Sequence, residues 1–452
     1  MEIPAEHKRR CFYHFTHVEN IESIIDNGIL CTNEKKVKNI GHVDLANENI
    51  QERRSRKDVP CSPFGKIHDY VPFYFTAPNP MLLSVLNRKN IDQPFVVYIA
   101  ISIEKLLQNN VLFTDKSANT EALPSFYQDP KDLDKLSWNL IDNTKWTEKN
   151  KDDLHSRMAE VLVYKNVPID WIESYIVYND VCKNKIKAIY KKKGLPKPKI
   201  SYGYYNRKHF YFTKFFIKGR KNETLVTGPY LLRHYFNESI KEIIDERKKR
   251  NNMSNNFSDI NDALTKIQEN FCVLNELAGI YGLKTENKIH SESVSDHTIT
   301  VVSNLNDNQY YKELNEHDRN LVKLAAYFHD IGKGPKSKWT NNIQPNYPDH
   351  PADSVPMIKR ILIEEFIVIS DDEIKKICLL VFYHDLIGDI ISKGRSKEEL
   401  KKLNVNDNEL NMLIAISIAD ASAIESQWGI KIEREAPELK EEILVNDTVC
   451  VW

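Results

Sequence analysis

Three apolar runs in the second half of the chain break the same rule. "VKLAAYFHDIGKG" (322–334), "LLVFYHDLIGDI" (379–390) and "IAISIADASAI" (414–424) read as buried helices, yet each carries an imidazole or a carboxylate in its midst. A polar group buried without a partner costs roughly 1–3 kcal/mol or more. The fold must therefore bring His329, Asp330, His384 and Asp420 to partners. His297 and His350 are further imidazoles in the same region. Groups on separate helices can satisfy one another by sharing a divalent cation, and an adjacent His-Asp pair supplies a nitrogen and an oxygen from one turn. Such an ion lowers the pKa of bound water and polarises a phosphoryl oxygen. A single helical His is more often a satisfied core residue, so the argument rests on the set. His317-Asp318 in "NEHDRN" precedes its apolar run and reads as an exposed first turn, outside that set.

The bulk properties narrow the rest. At 452 residues the chain has room for two or three domains. A formal net charge of -1 steers no polyanion to the molecule as a whole, so any nucleic-acid surface must be local. No run of eighteen apolar residues is present, which predicts no membrane span. The first residues, "MEIPAEHKRRCFYHF", lack the apolar core of a signal peptide. Seven scattered Cys, never spaced C-x-x-C, fit a reducing cytosol and argue against a thiolate zinc site.

Helical and strand signals alternate over residues 8–214. "FTHVENIESIIDNGIL" reads as one helix, with Thr16 and Glu19 as a capping box and Gly28 at its end. "YVPFYFTA" (70–77), "FVVYIAIS" (95–102), "EVLVY" (160–164) and "SYIVYN" (174–179) read as strands, with Pro72 placing the first near an edge or a strand start. One strand holds an anomaly: Glu160 stands between Ala159 and the aliphatic run Val161, Leu162, Val163. Residues 183–222 carry some fourteen Lys and Arg, no Asp or Glu, and interleaved aromatics. Cations that neutralise phosphates and rings that stack bases suit single-stranded nucleic acid; a solvated edge hairpin is the plainer reading. Residues 215–255 form a basic and polar connector, with "DERKKRNNMSNNFSD" (245–259) as the best linker. Residues 256–435 look helical throughout, Ser370 and Glu373 forming a second capping box, and 436–452 form a tail.

The series His297, His329-Asp330 and Asp420 resembles the HD superfamily of metal-dependent phosphohydrolases. "SDHTITVV", "FHDIGKG" and "IADASA" carry the resemblance, and "DHPADS" and "YHDLIGDI" match the additional His positions of some members. It covers about residues 256–435. It implies an all-helical domain, divalent metal held by His297, His329, Asp330, His350, His384 and Asp420, and Lys333 near a phosphate.

The first half resembles the DarT family of DNA ADP-ribosyltransferases. The strings, in order, are "FYHFTHVENIESIIDNGILCTNE", "IQERRSRKDVPCSPFGKIHDYVPFYFTAPNPML", "VLFTDKSANTEALPSFYQDPKDLDKLSW" and "RMAEVLVYKNVPIDWI". The resemblance runs over about residues 9–214. It implies an α+β split sheet with helices, NAD as co-substrate, single-stranded DNA as acceptor, and a toxin-like activity. Residue by residue, it makes Glu160 the catalytic carboxylate and Arg53 the site arginine, with Arg54 as the alternative. It puts His14, Thr16, Asn20, Arg53 and Tyr70 on the cofactor. Tyr70, Phe73 and Tyr74 are candidates to stack nicotinamide or to pack, with packing expected for two of the three. Met158, Ser117, Lys208 and Tyr211 are expected on the DNA side. Two positions depart from the pattern. Met158 stands where Gln is common two residues before the Glu, and Ser117 stands where some members have His.

The whole then reads as a cytosolic transferase fused to a phosphohydrolase that processes a related nucleotide or restrains the toxin, with a separate antitoxin as a further partner. Two rival expectations stay open. The first half binds nucleic acid without transferring anything, or the HD domain is a nucleotide sensor that gates the transferase.

Overall fold

The computed structural model divides into two compact units, residues 1–87 with 91–213, and residues 88–90 with 214–452. It describes residues 2–43, 45, 48–77, 79–120, 123–143, 148, 150–203, 210–212, 226–249, 256–286, 292–345 and 347–445.

The first unit is built on an eight-stranded sheet. Its strands are β1 (Cys11–His17), β2 (Tyr70–Tyr74), β3 (Val96–Ser102), β4 (Val111–Thr114), β5 (Phe126–Tyr127), β6 (Glu160–Tyr164), β7 (Ile172–Val177) and β8 (Ile200–Tyr202). The spatial order is β8-β7-β3-β1-β2-β6-β4-β5. Alternation sorts the side chains. Val71, Phe73, Val161 and Val163 join the main core on one face, while Tyr70, Leu112 and Leu162 form a smaller cluster on the other. Glu160, two residues from Leu162, falls on that second face. Burying Val161 and Val163 is worth roughly 1.5–3 kcal/mol each, so the register that carries Glu160 is strongly specified.

The sheet splits between β1 and β2. β1 pairs with β3 along its whole length, but with β2 only through Tyr13 and Tyr74. This explains Pro72, which lies inside the sheet and not at an edge. A strand residue points its N and O toward the same neighbour, and Pro72 O accepts from His14 Nδ1 on the β1 side, at 2.9 Å. The missing N–H thus falls where there is no ladder to break.

Helices α1 (Ile21–Asn27), α2 (Glu48–Arg56), α3 (Pro80–Asn87), α4 (Lys151–Arg157) and α5 (Asp180–Lys192) accompany the sheet. The expected helix around residue 20 exists but begins later. Residues 15–17 are strand, and His17 caps the entry by accepting from Glu19 N–H at 3.2 Å, the place assigned to Thr16. β-strand pairing with β3 outcompetes the local capping signal. Gly28 ends α1 at φ 76, a conformation that suits glycine.

Among the described residues, the regular structure of the second unit is helical apart from a two-residue pairing of Lys284–Thr285 with Ile343–Gln344 and an isolated bridge between Phe257 and Phe366. Its main helices are α6 (Pro229–Lys249), α7 (Ile260–Glu269), α8 (Val294–Asn304), α9 (Glu316–Phe328), α10 (Val355–Glu364), α11 (Asp371–Phe382), α12 (Asp407–Ile424) and α13 (Ser426–Val445). α12 is buried along Met412–Ala419 with no polar face, as a central helix must be. α8, α9, α11 and α13 pack around it. Ser370 and Glu373 form the expected capping box of α11. Asp318 differs from expectation. It is buried, and binds Asn315, Lys376 and Asn408 at 2.6, 3.0 and 2.9 Å, tying α9 to α11 and α12. No helix of the described residues is long and apolar enough to cross a membrane.

Candidate active sites

In the first unit, Glu160 opens β6 fully buried and does not lack partners. Its Oε1 accepts from Arg54 Nη1 (3.1 Å), Ser117 Oγ (3.2 Å) and the Ala118 N–H (2.9 Å), and its Oε2 faces Arg54 Nη1 at 3.0 Å. Its backbone N–H donates to Thr114 Oγ1 at 3.1 Å. The partners come from α2 and from the loop that follows β4. Tyr74 is the registered neighbour of Glu160 across β2–β6; burial first, then the Glu160 carboxylate, push its phenol up well beyond the ordinary range.

The arginine that reaches Glu160 is Arg54, while Arg53 is exposed on α2. Successive helical residues point about 100° apart, so only one of the two can face the sheet. His14 is half-buried; burial lowers its pKa to about 4 against the opposing hydrogen bond to Pro72. Asn20 Nδ2 donates to Thr16 Oγ1 at 3.0 Å, and Asn20 also exchanges hydrogen bonds with the backbone of Val43 at 2.9 and 2.8 Å. Tyr70 is a core residue whose hydroxyl donates to Phe64 O at 2.7 Å, so its ring is not open to stack a cofactor. Phe73 packs in the main core.

Of the expected DNA-side residues, Ser117 and Met158 lie close together, their backbone N–H groups both donating to His155 O, at 2.9 and 3.1 Å. Met158 is buried at the end of α4. Ser117 is buried against Glu160, turned to the carboxylate and not to a surface. Tyr211 is buried, its hydroxyl donating to Val96 O and Ile176 O at 2.9 and 3.0 Å, so it is core and not a stacking platform. Lys208 lies outside the described residues. Several lysines of the basic segment are occupied: Lys192 pairs with Glu22 at 2.9 Å, and Lys185 and Lys193 pair with Glu19 and Asp26. Missed in the sequence were Thr114 and the Ala118 N–H. "FTD" carried a signal for the first, but a backbone donor leaves none.

In the second unit, the imidazoles converge. His329 follows α9, His384 follows α11, His350 opens a short helix, His297 lies in α8 and Asp420 in α12. His329, His350 and His384 each place Nδ1 2.7–2.8 Å from the carbonyl oxygen three residues earlier, those of Ala326, Tyr347 and Val381. A carbonyl only accepts, so each Nδ1 carries a proton, and in the neutral ring each Nε2 presents a lone pair. The Nε2 atoms of His350 and His384 face each other at 3.0 Å. His297 Nε2 lies 2.9 Å from Asp420 Oδ1; Asp330 lies 3.3 Å from His329 through Oδ2 and 3.3 Å from His350 through Oδ1. Two groups result, His297-His329-Asp420 and Asp330-His350-His384, each with donor atoms within 4.8 Å of one another.

The electrostatics fit a cation. Burial would raise Asp330, but His329 and Lys333 outweigh it and hold the carboxyl well below the usual range. Burial first, then Lys333, keeps His350 well below its ordinary value; burial likewise lowers His384 against the pull of Asp385. His329 is raised, because the Asp330 and Asp420 carboxylates overcome its burial. His329 Nε2 and Asp330 Oδ1 are buried with no hydrogen-bond partner among the described residues. A divalent ion answers all of these at once. Lys333 sits 2.5 Å from Asp330 Oδ2, at the rim of this cluster.

The family described as "ssDNA thymidine ADP-ribosyltransferase, DarT" matches residues 13–212, and the HD domain family matches residues 288–424. A DNA ADP-ribosyl transferase of Thermus sp. (strain 2.9) is 30% identical over 185 residues, 40% of this chain and 86% of the relative. The chain belongs to the DarT family. Its second half carries an HD domain. The Escherichia coli O127:H6 DNA ADP-ribosyl transferase is 26% identical over 184 residues, 38% of this chain and 82% of that protein. Among solved structures, Thermus sp. 2.9 DarT in complex with ADP-ribosylated ssDNA overlays with a TM-score of 0.41 at 27% identity, covering 47% of this chain and 99% of that one. The DarT match spans the eight-stranded sheet, and the HD match spans α8, α9 and α12.

Proposed function

We propose that the DarT half transfers ADP-ribose from NAD to a base of single-stranded DNA, and that the HD half is a metal-dependent phosphohydrolase. The observation that carries the first reading is Glu160, buried and fixed by Arg54, Ser117 and Ala118 within the DarT match. Breaking the nicotinamide–ribose bond sends the bonding pair to nicotinamide and develops positive charge on the ribose. A carboxylate fixed beside that carbon stabilises the charge without reorganising. A base nitrogen then bonds to the same carbon and releases its proton. His14, neutral at physiological pH, and Asn20 are proposed on the cofactor side, and Met158 in the choice of acceptor base. The names of the relatives support this assignment.

In the HD half, His297, His329, His350, His384, Asp330 and Asp420 are the proposed metal ligands. Bound metal supplies an activated water and a Lewis acid for a phosphate ester. Lys333, beside Asp330, is the proposed contact for a phosphate oxygen. Its carrying observation is the convergence of three Nε2 lone pairs fixed by backbone carbonyls.

Labelled NAD incubated with single-stranded oligonucleotides of each base tests the first reading, with Glu160→Ala as the control. Label on DNA from the wild type alone is the expected result. Phosphate release from nucleotide esters that requires added divalent metal and is lost in Asp330→Ala is expected of the HD half. No label on any DNA, with metal-dependent hydrolysis intact, would leave the HD domain as the only enzyme.

A further inference from the structure

Glu160 is held asymmetrically. Oε1 accepts three hydrogen bonds, from Arg54, Ser117 and Ala118, whereas Oε2 meets only Arg54 among the described residues. A carboxylate oxygen offers about two lone-pair sites. Oε1 is therefore saturated, and Oε2 retains accepting capacity.

The loop after β4 sets this asymmetry. Thr114 fixes the backbone of Glu160. Three residues on, Ser117 is 1% exposed, and its Oγ receives the Asn119 N–H at 3.3 Å. That leaves its single hydroxyl proton to be donated to Oε1. Arg54 Nη2, on the arginine that meets both oxygens, and Asn119 Oδ1, on the residue after Ala118, are also buried without a hydrogen-bond partner among the described residues.

We infer that Ser117 is a positioning residue of the transferase: it locks Oε1 so that Oε2 is the oxygen presented to the substrate ribose. The inference rests on the transferase reading above. Ser117 does not touch substrate; it acts through the carboxylate.

The test compares Ser117→Ala and Ser117→Cys with wild type and Glu160→Gln in single-turnover transfer from NAD to oligonucleotide. Folded sites are counted by the stoichiometry of NAD binding in calorimetry. Per folded site, Ser117→Ala is expected to slow transfer about 10-fold, the effect of losing one hydrogen bond to a charged group, with NAD affinity within about twofold. Cys, near-isosteric but a weak donor, is expected to fall between Ser and Ala. Should Ala fail to fold, the Cys variant carries the comparison. Wild-type rates in either folded variant, or weakened NAD binding with an unchanged rate, would overturn the positioning role. A wild type that transfers nothing would overturn the transferase reading itself, which is a separate outcome.

Discussion

Arg54 Nη1 stands 3.1 and 3.0 Å from the two carboxylate oxygens of Glu160, across 106 residues of chain. Both side chains are buried, at 7% and 0% exposure. Neither would be stable there alone. The desolvation of each charge is offset by the other and by the donors of Ser117 and Ala118.

Arg54→Ala therefore has two expected effects. It strands a buried carboxylate, costing about 3–5 kcal/mol of stability, and it abolishes transfer. Arg53→Ala changes neither, because that side chain is exposed. Thermal melts and transfer assays on the pair check this; loss of activity in Arg53→Ala with a normal Arg54→Ala would overturn the assignment. Glu160→Gln keeps the shape and loses the charge, and is expected to slow transfer by about 10²–10³-fold.

His14 predicts an acid-side weakness of the first unit. Its folded pKa is lowered to about 4, below the ordinary 6.5, chiefly by burial. Between those values the unfolded chain binds a proton that the folded one refuses. Stability from this residue is thus intact above pH 6.5 and declines as pH falls toward 4, by at most about 1.4 kcal/mol per pH unit. Urea midpoints at pH 7 and pH 5 should diverge less in His14→Gln than in wild type. NAD affinity, by contrast, should show no His14 titration between pH 6 and 8.

Two ligand groups predict two ions. His297→Ala and His384→Ala should each lower bound metal by about one ion per chain in elemental analysis. Asp330 touches His297, His329 and His350, at 3.7, 3.3 and 3.3 Å, so Asp330→Ala should lose both. Chelation should lower the melting midpoint of the HD half, because an ion present at about 100 times its Kd stabilises by about 2.7 kcal/mol. An unchanged melt in excess chelator would count against a metal centre.

Gly332 predicts a steric lesion. A Cβ there would stand 1.9 Å from His350 O and 2.7 Å from Ser354 N, both backbone atoms. Gly332→Ala must push the short helix that begins at His350 away from Asp330. The expected results are a stability loss of about 1–3 kcal/mol and weaker metal binding at the Asp330-His350-His384 group, with His297-His329-Asp420 less affected. Metal titration followed by calorimetry separates the two.

Much of this was legible in the chain. The aliphatic run Val161, Leu162, Val163 marked the strand that carries Glu160, and the apolar runs around His329, His384 and Asp420 marked the helices of the metal cluster; the face of Glu160 came from the sheet, which sends Val161 and Val163 to one core and Leu162 to another. Where reading failed, long-range pairing had overridden a local signal. Thr16 and Glu19 look like a capping box, but β1 runs through Thr16 to His17 to pair with β3, and His17 takes the capping place. Tyr211, in a basic aromatic run that suggested nucleic acid, is drawn into the core by two backbone carbonyls.

By itself the sequence determined which residue types were available and at what period: a carboxylate in an aliphatic strand, imidazoles at the ends of apolar helices, a basic segment with aromatics. These follow from short-range geometry, which period and propensity record. Only the tertiary structure decided which arginine reaches Glu160, that Ser117 and Ala118 secure one of its two oxygens, and that three Nε2 atoms point inward. Those outcomes depend on side-chain direction and on backbone donors brought together from distant segments, and neither is written in the identity of a residue.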